Sequence, residues 1–260
     1  MGWYRRFAAI ALPDGTPDTS WVPYGCDTGC LVPDAPMIGL WHRLARFVAL
    51  GVCGGITAAL IVLLPRRSRI MAWSIRVGSR FMLLCLGIRL YTPDGRRSLR
   101  QLRHDARRGL LVACNHLSWV DILSVQATYG PMRMVAMAEI RSWPVLNWLS
   151  GKARTIYIDR GRLLQLPDTV GRVTAALGRG ETVGVFPEGA TSCGRHDLRF
   201  RPALFQAAID ADADIDVISI EYRSAGEPTP QASFLRHETV WPSLWRLLGI
   251  PRPSAILRHA

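Results

Sequence analysis

The sequence predicts an α/β protein, with a mixed, largely parallel sheet flanked by helices and an N-terminal membrane-docking helical hairpin before it. Three observations carry this. Beyond residue 109, short apolar runs of strand length alternate with segments of helix length, the pattern of a sheet covered on both faces by crossover helices. Ahead of that region, Phe47 to Leu64 form a run of eighteen residues without a charge. Finally, a formal net charge of +12 accompanies 49% apolar residues and nine Trp in 260 residues. A disordered basic tail has no such apolar content, and this length builds a sizeable core without metal or disulfide staples.

Basic and apolar character together point to a nucleic acid or to an anionic membrane surface. The arginines form no dense run, and neither zinc-finger spacing nor an aromatic-glycine RNA motif is present. The lipid bilayer is therefore the expected partner, and nucleic acid is not. Cys53, Cys85 and Cys114 lie in apolar runs, where buried free thiols are ordinary. Cys26 and Cys30 lack a second Cys/His pair of matching spacing, so no metal is expected. A reducing, cytoplasmic setting fits these thiols.

In chain order, residues 1–38 carry Pro, Gly and Asp at short intervals and read as an irregular, loosely attached leader. Residues 39–95 read as membrane-associated helices. The Phe47–Leu64 run is barely long enough to cross a bilayer, and a buried helix of a soluble core is the other reading; arginines flank both of its ends, which leaves its orientation open. Ile70 to Leu90 is apolar but interrupted by Arg76 and Arg80, four apart and so on one helical face. That pattern suits a helix lying in the interface with its arginines toward phosphate head groups. Residues 96–260 read as an α/β domain. Strands are expected at Leu110–Cys114, Met132–Ala136, Thr155–Ile158, Thr182–Phe186 and Ile215–Ile220. Helices are expected near Val120–Tyr129, Trp143–Ser150, Leu163–Leu177 and Pro202–Ala211.

Three motifs fall at strand ends, where sheets of this kind place ligand groups. Asn115-His116-Leu117-Ser118-Trp119-Val120-Asp121 follows the first strand. Asp121, about a helical turn on, is placed to hold one nitrogen of His116 and leave the other free to act as a base. Ser118-x-x-Asp121 equally matches a capping box, and from the residues alone both readings stand. Ile158-Asp159-Arg160-Gly161 offers a guanidinium for a phosphate or carboxylate, or a plain surface turn. Val185-Phe186-Pro187-Glu188-Gly189-Ala190-Thr191-Ser192 ends a strand with a projecting carboxylate and a small, polar run. Backbone N–H groups of that run can approach an anion or a hydroxyl, or the turn simply ends the strand.

In this order and at these intervals, the NHxxxxD, IDRG and VFPEG segments closely resemble the glycerolipid acyltransferase family, whose best-known members are the 1-acylglycerol-3-phosphate acyltransferases. The resemblance covers about Arg96 to Tyr222, includes Ala138-Glu139 and Ser142-Trp143-Pro144, and extends to the hydrophobic hairpin. It implies a lipid-biosynthetic enzyme at the cytoplasmic face of a bacterial-type inner membrane, with catalytic His116 and Asp121. It also implies an acceptor-binding set of Arg160, Glu188, Gly189, Thr191 and Ser192. The acyl donor would be acyl-CoA or an acyl carrier protein used as co-substrate, with no other cofactor, and the acceptor a lysolipid. The sequence departs from the family at Thr191, where an Arg is common, and at Met137, where a Lys is common. It also lacks the Pro that usually precedes the run Val217–Ile220. The first two changes remove positive charge near the expected phosphate site, so a non-phosphate acceptor such as lyso-ornithine lipid stands beside 1-acyl-sn-glycerol-3-phosphate. A thioesterase or lipid hydrolase using the same His is the alternative from another enzyme class.

Overall fold

The alternating apolar runs fold into one eight-stranded sheet in a computed structural model that describes residues 26–65, 68–93, 109–142, 144–159, 163–195, 198–235 and 238–259. Its strands are β1 (Arg89–Tyr91), β2 (Leu110–Cys114), β3 (Arg133–Met137), β4 (Ile156–Ile158), β5 (Thr182–Val185), β6 (Asp214–Ser224), β7 (Glu227–Pro228) and β8 (Pro253–His259). The helices are α1 (Leu40–Leu63), α2 (Arg69–Cys85), α3 (Asp121–Tyr129), α4 (Pro144–Lys152), α5 (Leu166–Gly178), α6 (Ala203–Asp210) and α7 (Val240–Gly249). The strand order is β1-β8-β6-β2-β5-β3-β4, with β7 paired to β6. Strand β2 lies parallel to both β5 and β6, while β8 runs antiparallel to β6. The sheet is thus mixed and largely parallel, as expected. Residues 1–25, Arg66, Arg67, the arginines of 96–108, Trp143 and the Arg160-Gly161 pair lie outside the described residues.

Every residue of β2 is buried, because helices cover both faces of the sheet. Leu110, Val112 and Cys114 face Val125 and Ala127 of α3 and Leu247 and Leu248 of α7. Leu111 and Ala113 face the opposite layer, Val173 and Leu177 of α5 with Ala207 of α6. At about 1.5–3 kcal/mol for each large apolar side chain taken from water, these two layers hold the strand ends that carry the site.

Several elements differ from expectation. Strand β6 runs on to Ser224, and α7 with β8 forms a C-terminal unit whose strand pairs antiparallel along β6. The segment expected as a helix from Leu163 opens as a 3-10 turn, Leu163–Gln165, before α5. Residues 26–38 hold a short 3-10 turn and are attached rather than loose. Gln231 Nε2 donates to Val32 O at 2.7 Å, and Ile38 N donates to Gly249 O at 2.8 Å.

Helix α1 is long and apolar enough to cross a membrane. At 1.5 Å per residue, its 24 residues reach roughly 36 Å against a hydrocarbon thickness of about 30 Å. Its most apolar stretch has a mean hydropathy of 2.1, and only 6% of that stretch is buried. Val48, Val52 and Ile56 stand exposed along one stripe. Helix α2 packs against α1 at Gly78, where any Cβ would overlap the Thr57 side chain. The expected orientation of Arg76 is corrected here. Its Nη2 donates to Thr128 O at 3.1 Å and its Nε to Ala127 O at 3.5 Å, so it faces the end of α3. The last carbonyls of α3 have no partner within their own helix, and a guanidinium satisfies them and suits the negative end of the dipole. The exposed face of α2 is instead apolar, with Ile70, Trp73, Phe81 and Leu84.

At the opposite end of the strands from the site, Glu181 gathers Arg133 Nη1 at 3.0 Å, Arg154 Nη2 at 3.0 Å and Arg179 Nε at 3.2 Å. Burial alone would raise its carboxyl. Hydrogen bonds from Arg179 and Arg133, with the charges of Arg133 and Arg154, outweigh burial and hold it below its usual range. A carboxyl depressed in the folded state stabilises fully above its unfolded value of about 4.3. That contribution is lost as pH falls through the folded value. Glu181→Gln should therefore melt below the wild type at neutral pH, with the gap closing as pH drops below about 4. Melting curves of both proteins across this range check it, and a gap independent of pH would remove Glu181 from this role.

Candidate active site

Parallel pairing brings the first and third motifs together. Ala113 of β2 is in register with Val185 of β5, and three residues further along each strand stand His116 and Glu188. Both lie beyond the C-terminal ends of neighbouring strands. The Glu188 carboxylate, only 5% exposed, accepts the backbone N–H of His116 through Oε2 at 2.8 Å. Ser192 N donates to His116 O at 2.9 Å. The backbone of His116 is thus pinned on both sides by the segment that follows β5.

The imidazole is pinned as well. Its Nδ1 lies 2.8 Å from Asp121 Oδ2, and its ring stacks on Phe186 with centroids 4.0 Å apart and planes 11° from parallel. Asp121 is fully buried, and Oδ2 also accepts Leu117 N at 2.7 Å and Ser118 N at 2.8 Å. Tyr222 donates its hydroxyl to Oδ1 at 2.7 Å. A carboxylate ringed by donors is itself only an acceptor, so the proton of the His116–Asp121 pair sits on Nδ1 and Nε2 is left with a lone pair. The two readings of Asp121 prove compatible. One carboxylate caps the start of α3, as a capping box would, and orients the histidine.

Tyr222 serves this arrangement as a positioning residue. Burial first, then the Asp121 charge and hydrogen bond, push its phenol far above the ordinary range, so it remains a donor. Burial likewise pushes the Cys114 thiol well up, helped by the charges of Asp121 and Glu188, which leaves it protonated and unfit as a nucleophile. Asn115 spans to β6, donating to Ile220 O at 3.0 Å and accepting Ile220 N at 2.6 Å.

Gly189 adopts φ +80°, in the left-handed region that favours glycine. The Arg201 side chain lies directly against it, since a Cβ at Gly189 would come within 3.2 Å of Arg201 Nε. Arg201 donates through Nε to Glu188 O at 3.3 Å and through its backbone N–H to Pro187 O at 2.9 Å. Burial lowers its guanidinium from the ordinary value, yet an arginine remains charged even so. A cation therefore stands beside the third motif although Thr191 is not one. Ser192 is buried, and its hydroxyl accepts Gly194 N at 3.4 Å; Thr191 is half-buried. A cavity of about 860 Å³ is bordered by Asn115, Leu117, Glu188, Ser192, Arg195 and Tyr222, neighbours of the His116–Asp121 pair, while the pair itself does not line it.

Phe186, Arg201 and Tyr222 are the site residues that sequence reasoning missed. Tyr222 sits two residues past the expected end of its strand, and alternation along β6 returns it to the face of Ile218 and Ile220. Nothing in the local sequence marks Arg201.

A family model described as Acyltransferase matches residues 94–223, a stretch that contains the dyad, Glu188, Arg201 and Tyr222. The chain belongs to the acyltransferase family. A 1-acyl-sn-glycerol-3-phosphate acyltransferase of Neisseria gonorrhoeae is 38% identical over 146 residues, covering 55% of this chain and 56% of that protein. A lyso-ornithine lipid O-acyltransferase of Pseudomonas aeruginosa is 35% identical over 152 residues, covering 57% of each. The match thus spans little more than half the length of these relatives. In fold, this acyltransferase is similar to the crystal structure of the 1-acyl-sn-glycerophosphate acyltransferase PlsC from Thermotoga maritima. That likeness has a TM-score of 0.59 at 17% identity and covers 85% of this chain and 83% of that one.

Proposed function

We propose that this acyltransferase moves a fatty acyl group from an acyl thioester to the free hydroxyl of a lysolipid. The observation that carries this reading is the orientation of His116, with Nδ1 held by a buried carboxylate and Nε2 without a hydrogen-bond partner among the described residues. In the proposed step, Nε2 takes the acceptor hydroxyl's proton as the oxygen attacks the thioester carbonyl. The tetrahedral intermediate collapses, the carbon–sulfur bond breaks, and the imidazolium returns its proton to the leaving thiolate. Asp121 stabilises the imidazolium in between. No enzyme-bound acyl intermediate is needed, in keeping with the protonated thiol of Cys114.

We take 1-acyl-sn-glycerol-3-phosphate as the first acceptor, with Arg160 proposed to meet its phosphate and Glu188, Gly189, Thr191 and Ser192 to shape the acceptor site. A lyso-ornithine lipid is the second reading. It is favoured by the neutral residues at Met137 and Thr191 and by the mixed charge of the adjoining cavity, where Arg195 and Arg258 stand with Asp34, Glu221 and Glu227. Acyl-CoA and acyl carrier protein are both candidate donors. Helix α1 and the exposed apolar face of α2 support placement at a bilayer, proposed here as the cytoplasmic face of an inner membrane. Purified protein given one labelled acyl group, on either donor, and a panel of lysolipids tests all of this. Product on a phosphate acceptor supports the first reading, and product on lyso-ornithine lipid alone supports the second. Release of free fatty acid with no acylated lipid would overturn both in favour of hydrolysis.

A further inference from the structure

Two cysteines near the N-terminal end of the described chain meet a distant third beside the third motif. Cys26 precedes the 3-10 turn Thr28–Cys30, Cys30 ends it, and Cys193 directly follows Ser192. Their Sγ atoms all lie within 4.8 Å of one another, and those of Cys26 and Cys193 are 3.6 Å apart. Thiolates bound tetrahedrally at about 2.3 Å from one ion would stand roughly 3.8 Å apart. The sulfurs are therefore close to the spacing of a metal site before any ion draws them in.

The surroundings fit such a site. Cys26 and Cys193 are buried with Leu235, and Leu31 packs against them, while Cys30 is only half-buried and leaves one side open. The turn that carries the first two sulfurs is braced, with Asp27 Oδ1 accepting Gly29 N at 2.8 Å and Asp27 O accepting Cys30 N at 3.1 Å. A disulfide would use two of the sulfurs and strand the third against it, whereas a cation uses all three.

We propose that Cys26, Cys30 and Cys193 bind a thiophilic divalent cation, with zinc the best fit to three thiolates. Each thiol that binds gives up its proton to solvent, so binding weakens as pH falls. The ion clasps the segment from Cys26 to Met37 to the loop that pins His116. That segment borders the cavity through Val32, Asp34, Ala35, Pro36 and Met37, so the clasp fixes one wall of that cavity.

The test uses the full chain, purified under reducing conditions without chelator, with bound metal measured by plasma mass spectrometry. Zinc should be present at one ion per chain, fall to background in Cys26→Ala and Cys193→Ala, and remain in Cys53→Ala, whose thiol lies in α1. Because a cysteine variant can misfold, metal-stripped wild type is also titrated with cobalt(II). Intense thiolate-to-cobalt charge-transfer absorption is expected, displaced by zinc. Wild type that retains no metal and gives no such absorption overturns the proposal, as does equal metal in every variant. A Cys26–Cys193 disulfide in metal-free protein, seen by intact mass before reduction, also overturns it and makes the cluster a redox tether.

Discussion

Alanine at His116 should lower acyl transfer by roughly a hundredfold or more, in the range for loss of a general base, while leaving the protein folded. The imidazole is the group proposed to take the acceptor's proton through Nε2, and an alanine offers no base in its place. The structural cost is small, because the ring is partly exposed and Asp121 keeps its bonds from Leu117 N, Ser118 N and Tyr222. One lost hydrogen bond and one ring contact amount to about 1–2 kcal/mol. Steady-state rates with a labelled donor, read beside thermal melts, separate the two effects. Transfer at the wild-type rate by well-folded His116→Ala would end the proposed mechanism.

Asp121→Asn should be the more informative change, with a loss approaching about ten-thousandfold, as when a carboxylate that orients a catalytic histidine becomes an amide. Oδ2 accepts three N–H groups and Oδ1 accepts one hydroxyl. An amide satisfies the three N–H donors only if its oxygen faces them, which turns its NH2 toward Tyr222. The phenol can rotate to accept that bond, so the fold survives, but the charge that stabilises the imidazolium is gone. Asp121→Ala has no such escape. It leaves buried donors unpaired at about 1–3 kcal/mol each and should lose stability and activity together. Thermal melts of the two variants beside their rates check this, since Asn is expected to fall in rate far more than in melting temperature. Equal losses of stability in both would reduce Asp121 to a helix cap.

Much of the site was legible in the sequence because its central pair is local. His116 and Asp121 are five residues apart, between a buried strand and the first turn of a helix, and that spacing alone brings them within reach. The sheet was legible for a similar reason, since each apolar run states its own length and burial. The C-terminal unit was not, because α7 is short and β8 begins at Pro253, a residue that usually reads as a strand boundary. Arg76 was misread because periodicity names a face but not the surface that face meets. Only the packing of α2 beside α3 shows that the arginine satisfies helix-end carbonyls.

By itself, then, the sequence determined the α/β class, the apolar helix ahead of it and the closeness of His116 to Asp121, all properties of neighbours along the chain. The tertiary structure decided which distant groups serve that pair. The register of β2 with β5 sets Glu188 on the backbone of His116, and the length of β6 carries Tyr222 to Asp121. It also sets Cys193 beside Cys26 and Cys30, a third thiol that no spacing along the chain announces. Spacing along the chain governs contacts within a turn or a strand, whereas contacts between strand ends depend on register, which no single segment encodes.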